Sequence, residues 1–373
     1  MKKLICYAAI SACFISSVWA QKTISISNPS DDFRLELVSI PFDKFTKHFA
    51  VDTIFTVKDK SSGQVYLHQL EKIGQIHIQN VLIQVPITAK GKLDLIVSKD
   101  KAPAFAAKTF ARYVPERFDD FAWENDVVAF RLYGKALEGR ADDAQGMDYW
   151  AKRTENLVIK KWYKGDDYHK DHGEGLDYYS VGQTLGAGDF ALYHDDRIHY
   201  TKHYRTYEIL DNGPLRTSFR LTYEPQVLLG QEISLSKTIQ IDAGQNFNKI
   251  IVDFKNKQSR KTPAVIGLAK REEDQPKVAY NKDDQTLIYW EPNIKDFGHT
   301  GTALVLTKQK ATYITSDKKQ FLLKTIISNN KPFVYYNGAA WNKAGKITSF
   351  DKWEDAVKDY AEQIRKPLKV KLK

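Results

Sequence analysis

A short segment in the middle of the chain concentrates side chains that can move protons: residues 161–182 read KWYKGDDYHKDHGEGLDYYSVG. His169 and His172 lie three residues apart there, and His194, His199 and His203 follow. An imidazole with a pKa of about 6.5 can both accept and donate a proton near neutrality. The segment therefore predicts an acid–base site. The alternative is a core histidine that bonds a backbone carbonyl.

Two adjacent cations, Lys152 and Arg153, precede this segment. Either could hold a substrate carboxylate, and the alternative is an ordinary surface pair. Adjacent side chains of a β-strand point to opposite faces, so only one of the two should reach a pocket by that route. Tyr168 and Tyr204 are further candidates for proton transfer.

The stretch WEND offers two carboxylates and an aromatic ring. Glu124 and Asp126 share one face of an extended segment, so they could form a glycosidase pair, although this spacing sets them close together for that role. They could equally bind sugar hydroxyls or a backbone turn. Trp123 could stack on a sugar ring or lie in the core.

The glycines that follow do not form a nucleotide-binding loop. The stretch GQTLGAGD lacks the Lys-Ser/Thr ending of such a loop, and no strand-then-helix pattern surrounds it. His169, His172 and Glu174 could supply three metal ligands, but no clear fourth ligand is present. We therefore predict no metal and no other cofactor.

The amino terminus has the pattern of a secretory signal: Lys2 and Lys3, then an uncharged apolar stretch, then VWA before Gln21. Residues 1–20 are predicted to be cleaved, so that the mature protein is secreted or periplasmic. A lipoprotein signal ending at Cys13 is the less favoured alternative. Both cysteines lie in this leader, which leaves no thiol in the mature chain, and we expect no membrane span.

The formal net charge is +10, and it becomes +8 when Lys2 and Lys3 are removed. A basic, aromatic-rich exported protein suits anionic oligosaccharides, although the charge could serve solubility alone. Nucleic acid is not predicted as a partner, because the chain carries no recognition motif or basic helix.

Strands must position these residues, since most of the chain alternates apolar and polar side chains, as in FRLELVSI. Turn-rich stretches predict hairpins between VDTIFTV and VYLHQL and between VLIQVPIT and LDLIVS. One helix is expected over 350–366, capped by Ser349, stopped by Pro367 and packed through Trp353 and Tyr360. We predict an all-β fold with one domain over 21–373.

Three stretches carry a family resemblance: RYVPERFDDFAWENDVVAFRLYGKAL, GMDYWAKRTENLVIKKWY and YHKDHGEGLDYYSVGQTLGAGD. They resemble an uncharacterised-domain family of bacterial polysaccharide-utilisation clusters that includes dehydratases acting on ulvan oligosaccharides. The resemblance implies a single large antiparallel β-supersandwich, similar to galactose-mutarotase and polysaccharide-lyase sandwiches, with a C-terminal helix. It also implies a lyase that removes water from a non-reducing-end uronate and leaves a 4,5-unsaturated sugar.

That reaction requires a carboxylate clamp, a base for the C5 proton and an acid for the departing 4-hydroxyl. The catalytic candidates are His169, His172, Tyr168, Tyr204 and Lys152. The substrate-binding candidates are Trp123, Glu124, Asn125, Arg131, Arg153, Lys161, Asp177, His203 and Arg205. Two alternatives stay open: a hydrolase or epimerase on the same fold, and a non-catalytic protein that binds anionic glycans.

Overall fold

Short antiparallel strands follow from the alternating pattern, and in the computed structural model they account for most of the regular structure. The structure describes residues 21–165 and 167–373, so the predicted leader lies outside the described residues. The strands up to residue 98 are β1 Ile24–Ser27, β2 Arg34–Pro41, β3 Thr56–Asp59, β4 Val65–Tyr66, β5 His68–Glu71, β6 Asn80–Ile87 and β7 Lys92–Ser98.

The middle of the chain contains the three family-like stretches. Its strands are β8 Thr109–Val114, β9 Asp120–Asn125, β10 Ala129–Leu132, β11 Met147–Lys152, β12 Gly175–Leu176, β13 Ala187–His194 and β14 Arg197–His199. The remaining strands are β15 Thr206–Asn212, β16 Arg216–Thr222, β17 Gln226–Leu228, β18 Gln231–Asp242, β19 Phe247–Asn256, β20 Lys261–Ala269, β21 Lys277–Asn281, β22 Thr286–Trp290, β23 Thr300–Val305, β24 Thr312–Ile314, β25 Gln320–Ser328, β26 Phe333–Trp341 and β27 Lys369–Leu372.

Few helices interrupt the strands. The α-helices are α1 Phe42–Phe49, α2 Ile159–Gly165 and α3 Phe350–Arg365, and short 3-10 helices cover Pro115–Arg117, Lys135–Leu137 and Asn342–Ala344. The prediction of an all-β, antiparallel fold with a C-terminal helix is confirmed, whereas α1 and α2 were not predicted.

The sheets enclose two main cores. A nine-stranded sheet built on β15 to β26 shares one core with the five-stranded sheets β12-β11-β10-β9-β8 and β14-β13-β20-β25-β24. Near the amino terminus, the sheets β27-β1-β7-β3-β4 and β2-β6-β5 enclose a second core. The C-terminal strand therefore completes a sheet begun by the first strand, with Ile24 opposite Leu372.

One of the two predicted hairpins forms. Strands β3 and β4 pair across the turn-rich segment as predicted. The hairpin predicted between β6 and β7 is wrong, because β6 pairs with β2 and β5 while β7 pairs with β1 and β3. Their connection crosses from one sheet to the other over the second core, and period-two alternation is the same in both arrangements.

Helix α3 packs on the nine-stranded sheet as the sequence predicted. The Ser349 hydroxyl accepts the Lys352 N–H at 3.4 Å. Trp353 is fully buried, and Tyr360 stacks on Phe247 with ring centroids 4.0 Å apart. A Cβ at Gly301 would lie 2.7 Å from the Trp353 ring, so this packing requires glycine there.

Candidate functional site

A concave cleft of about 160 Å³ opens between the end of β11 and the end of β26. We call it the inner cleft. Its apolar wall includes Val127, Val128, Tyr149, Trp341 and Ile347. Its charged lining consists of Asp126, Lys152, Arg153, Glu155 and Lys346. An apolar wall with a few convergent polar groups is the usual composition of a small-molecule site.

Arg153 is fixed at the rim of the inner cleft by the segment that the sequence singled out. Its Nε donates to the Gly173 carbonyl at 3.0 Å, and its Nη2 lies 2.6 Å from an Asp171 carboxylate oxygen. The guanidinium lies over the Trp341 ring at 5.3 Å, and the side chain keeps 30% of its surface exposed. The cation is thus held in position while part of it stays accessible to a ligand.

Lys152 lies at the floor of the same cleft and is almost fully buried. Its Nζ lies 2.9 Å from Glu124 Oε2 and 2.6 Å from the Asn125 carbonyl oxygen. Burial lowers the pKa of Lys152, and the Glu124 carboxylate opposes this shift. The expectation that only one of Lys152 and Arg153 reaches a pocket is wrong, because β11 ends at Lys152 and strict alternation ends with it.

Glu124 is positioned by the backbone as well as by Lys152. Its two carboxylate oxygens accept the N–H groups of Val158 and Ile159 at 2.8 Å each, just where α2 begins. Of the roles left open for Glu124, the structure therefore matches the binding of a backbone turn. Asp126 likewise accepts the Gly244 N–H at 2.6 Å.

A buried acidic group, which sequence reasoning missed, lies near the apolar wall of the inner cleft. Glu291 is 1% exposed, and its Oε1 lies 2.8 Å from Arg271 Nη2. Burial raises the pKa of Glu291 to about 7, although Arg271 lowers it. The Arg271 guanidinium also lies over the Tyr179 ring at 4.6 Å. We call Tyr178, Tyr179, Arg271 and Glu291 the Glu291 cluster.

Aromatic rings connect the Glu291 cluster to the inner cleft. Tyr178 lies 6.3 Å from Trp341 between ring centroids, and its hydroxyl is 2.6 Å from Thr300 Oγ1. Burial raises the pKa of Tyr149 well above its ordinary value, and the nearby Tyr178 and Glu291 raise it further. Tyr149, which lines the cleft, therefore keeps its proton at neutral pH.

A second buried charge cluster surrounds Arg131, away from the inner cleft. Arg131 Nε lies 2.9 Å from Asp148 Oδ2, and its Nη2 lies 3.0 Å from Asp177 Oδ2. Arg131 Nη1 also lies 3.4 Å from Asp120 Oδ2. Burial raises the pKa of Asp120 to about 6, although Arg131 lowers it. Arg131 and Asp177 are both buried, and neither lines the inner cleft.

Tyr168 and His169 lie over this cluster. The Tyr168 ring stacks on Trp150 at 5.2 Å, and its hydroxyl accepts from Arg117 Nε at 3.3 Å. His169 leaves 65% of its side chain exposed, with Nδ1 2.9 Å from the Asp177 carbonyl oxygen. Tyr168 thus packs in the interior, while His169 is an accessible imidazole on the surface.

His172 and Lys161 lie on the α2 side of the same segment. His172 Nε2 is 3.6 Å from Asp167 Oδ2, and Lys161 Nζ is 2.7 Å from Glu174 Oε2. Together they line a small pocket of about 140 Å³. The predicted histidines therefore do not line the inner cleft, although Asp171 and Gly173 of their segment hold Arg153 in place.

His203, Tyr204 and Arg205 lie in another part of the molecule. His203 Nε2 is 2.9 Å from Asp143 Oδ1, and the Tyr204 hydroxyl donates to a backbone carbonyl. Arg205 Nη1 and Nη2 donate to the two carboxylate oxygens of Glu138 at 2.8 and 3.0 Å, and its Nε donates to the Glu224 carboxylate. The sequence grouped these residues with the others, but the structure does not bring them to the inner cleft.

Trp123 and Asn125 are interior residues. Trp123 is fully buried, and its Nε1 donates to Asn248 Oδ1 at 2.8 Å, so no ring face is available to a sugar. Asn125 Nδ2 donates to the carbonyls of Asp242 and Gln245 at 2.6 and 2.7 Å. Both side chains attach β9, which carries Glu124, to β18, β19 and the turn between them.

Neither a metal cluster nor a membrane helix is found in the described part of the chain. Among residues 21–165 and 167–373, no group of three or more His, Cys, Asp or Glu side chains could hold a metal ion. Within those same ranges, no helix is long and apolar enough to cross a bilayer.

The antiparallel sheets with a C-terminal helix define an all-β protein, and part of a longer solved protein has a similar fold. The structure is similar to that of a protein in the glycosyl hydrolase family 38 from Enterococcus faecalis, with a TM-score of 0.50 and 9% identity. This likeness covers 94% of the chain but 47% of that longer protein. An alpha-mannosidase from Enterococcus faecalis V583 gives a TM-score of 0.45 at 9% identity over 94% of this chain and 46% of that one.

The chain belongs to the family described as Domain of unknown function (DUF4861), which matches residues 26–370. It is also 30% identical over 363 residues to Uncharacterized protein P7 of Formosa agariphila. That alignment covers 85% of this chain and 90% of the relative. The sequence resemblance to an uncharacterised-domain family is confirmed.

Proposed function

We propose that the protein is an oligosaccharide dehydratase that removes water from the non-reducing-end uronate of an ulvan-type oligosaccharide. The observation that carries this proposal is the inner cleft, where a fixed cation, a buried lysine and a protonated tyrosine meet an aromatic wall. The family resemblance supports it, as does the likeness of the fold to part of a glycosyl hydrolase. A mutarotase-like supersandwich and an exported location are parts of the same proposal.

Arg153 and Lys346 bind the uronate carboxylate in this proposal. Arg153 is already oriented by Asp171 and Gly173, so little freedom is lost when a ligand binds. Removal of the C5 proton places negative charge next to the carboxylate, and a preorganised cation stabilises that charge. Such a donor contributes about 3 kcal/mol to the transition state.

Lys152 and Tyr149 carry out the proton transfers. A neutral Lys152 amine donates its two N–H bonds to Glu124 and Asn125, which leaves its lone pair for the C5 proton. The C5–H electron pair forms the C4=C5 double bond as the C4–O bond breaks. Tyr149 protonates the departing hydroxyl, which leaves as water, and a later proton transfer from Lys152 to the Tyr149 phenolate restores both groups.

Lys152 and Tyr149 lie in the cleft and carry the proton steps, whereas His169 and His172 lie outside it. Burial lowers the pKa of Lys152, which is the direction that a general base needs, and the raised pKa of Tyr149 favours a phenol that can donate. Both directions suit an elimination near neutrality.

Incubation with saturated ulvan oligosaccharides tests the reaction. We expect the loss of one water by mass spectrometry and the ultraviolet absorbance of a conjugated uronate. Arg153→Ala and Tyr149→Phe should each lower kcat by about a hundredfold, whereas Lys343→Ala, an exposed lysine outside the cleft, should keep the wild-type rate. Loss of turnover in His169→Ala or His172→Ala, with Tyr149→Phe active, would contradict the assignment of the proton steps.

A hydrolase is the second candidate, because two carboxylates, Asp126 and Glu155, line the same cleft. A glycosidase needs such a pair on either side of the glycosidic bond. Shorter, saturated products from wild-type protein would favour this function over the dehydratase.

A further inference from the structure

A second, larger concavity continues the inner cleft towards the amino-terminal sheets. It has a volume of about 610 Å³ and is lined by Leu67, Phe105, Lys108, Asp126, Glu155 and Asn156, among others. We call it the outer groove. Asp126 and Glu155 line the inner cleft as well, so the two concavities meet at these side chains.

The sizes of the two spaces suit different parts of one ligand. At about 160 Å³ the inner cleft is smaller than most ligand sites, which span about 300–1,000 Å³. The outer groove falls within that range by itself. A ligand that places its end in the inner cleft and continues outward must therefore be extended.

Lys108 lines the outer groove beside Asp126, which lines both spaces. Its Nζ is 3.4 Å from Asp126 Oδ2, and 35% of its side chain is exposed. Its backbone N–H donates to the Pro214 carbonyl at 2.8 Å, which fixes the residue immediately before β8 begins. The backbone of Lys108 is thus fixed, and its ammonium group lies beside Asp126 while staying accessible to an anion.

The walls around Lys108 offer the remaining contacts that a sugar needs. Phe105 and Leu67 supply apolar surface, and Asn156 supplies an amide that can donate to and accept from hydroxyls. The Lys108–Asp126 pair is long and partly exposed, so an anionic ligand can compete for the cation at little cost.

We infer that the outer groove binds the sugar units that follow the terminal uronate, and that Lys108 recognises an anionic group on a unit beyond the terminal disaccharide. This inference rests on the proposed function for the ligand class, and it assigns a binding site to the part of the oligosaccharide beyond its terminal uronate. The anionic group is a sulfate or a carboxylate, which share the same contact with an ammonium ion.

Calorimetric titration with product-state ulvan ligands tests the inference without turnover. The ligands are a disaccharide and a tetrasaccharide that already carry the 4,5-double bond. Wild-type protein should bind the tetrasaccharide about tenfold more tightly than the disaccharide. Lys108→Ala should weaken tetrasaccharide binding about five- to tenfold and leave the disaccharide within about twofold.

Lys101→Ala is the matched control, because Lys101 is an exposed lysine of the same segment that does not line the groove. It should bind both ligands like the wild type, and circular dichroism should show that both variants are folded. A desulfated tetrasaccharide distinguishes the two anions: if sulfate is recognised, the effect of Lys108→Ala disappears with this ligand.

Equal wild-type affinities for the two lengths, no binding of either, or an equal loss for both in Lys108→Ala would overturn the inference. Since the ligands are products, the proposed reaction can fail independently. Length-dependent binding without water loss from saturated oligosaccharides would keep the outer groove as an oligosaccharide site and reject the dehydratase.

Discussion

Glu291 should make the folded state less stable as the pH rises from 4.5 to 7. In the unfolded chain its carboxyl titrates near its ordinary pKa of 4.5, whereas burial raises the value to about 7 in the fold. Between these two values the folded protein holds a proton that the unfolded chain has released. Stability therefore falls with pH across this window and reaches its lower level above pH 7.

The magnitude follows from the two pKa values. Each pH unit between them contributes about 1.4 kcal/mol, so the full effect is about 3 kcal/mol. Glu291→Gln resembles the protonated carboxyl in shape and charge and does not titrate. The free energies of unfolding of Glu291→Gln and the wild type should be most similar at pH 5. From pH 5 to pH 8, the difference between them should change by about 2 to 3 kcal/mol in favour of the variant.

Urea unfolding of both proteins at pH 5, 6, 7 and 8 measures this difference directly. Other buried acids, such as Glu36 and Asp120, titrate in the same window, but they are common to both proteins and cancel. Glu272→Gln, at an exposed neighbouring position, is the matched control and should change the free energy of unfolding by less than about 0.5 kcal/mol. A pH-independent difference for Glu291→Gln would show that Arg271 fully compensates for burial, and the reasoning would be refuted.

Trp353→Ala should lower the free energy of unfolding by about 3 to 5 kcal/mol, because it removes a buried ring and leaves a cavity between α3 and the sheet. Urea titration measures this loss, and Lys352→Ala, on the exposed side of α3, should cost less than about 0.5 kcal/mol. Lys152→Met leaves the buried Glu124 carboxylate without the N–H that Lys152 donates to it and should cost about 3 kcal/mol. Adding Glu124→Gln should recover stability in the same titration but not water loss from the oligosaccharide, and recovered turnover would count against Lys152 as the base.

The strand-rich fold and α3 could be predicted because their signals are local. Alternation specifies which face of a strand is buried, and Ser349 and Pro367 delimit the helix within the sequence itself. Partner choice is not local: β6 and β7 alternate like a hairpin, yet each joins a different sheet. No pattern within those segments distinguishes a turn from a crossing between sheets.

Lys152 and Arg153 could be named as site candidates from their type and place in the chain. Arg205 has the same chemistry, but its charge is satisfied by Glu138, which lies far away in the sequence. Glu291 was missed because a single acid after a strand resembles any strand end, and its raised pKa comes chiefly from burial, which only the fold shows. The only trace in the sequence is its place directly after the apolar run TLIYW.

The pairing of β1 with β27 has a consequence for folding during synthesis. Until residues 369–372 leave the ribosome, the outer edge of β1 presents unpaired backbone N–H and C=O groups. The closing contact also spans nearly the whole sequence, which makes it a high-contact-order step and therefore slow. The amino-terminal sheet is thus made first but finished late, and in the interval it can pair with another nascent chain unless a chaperone shields the open edge.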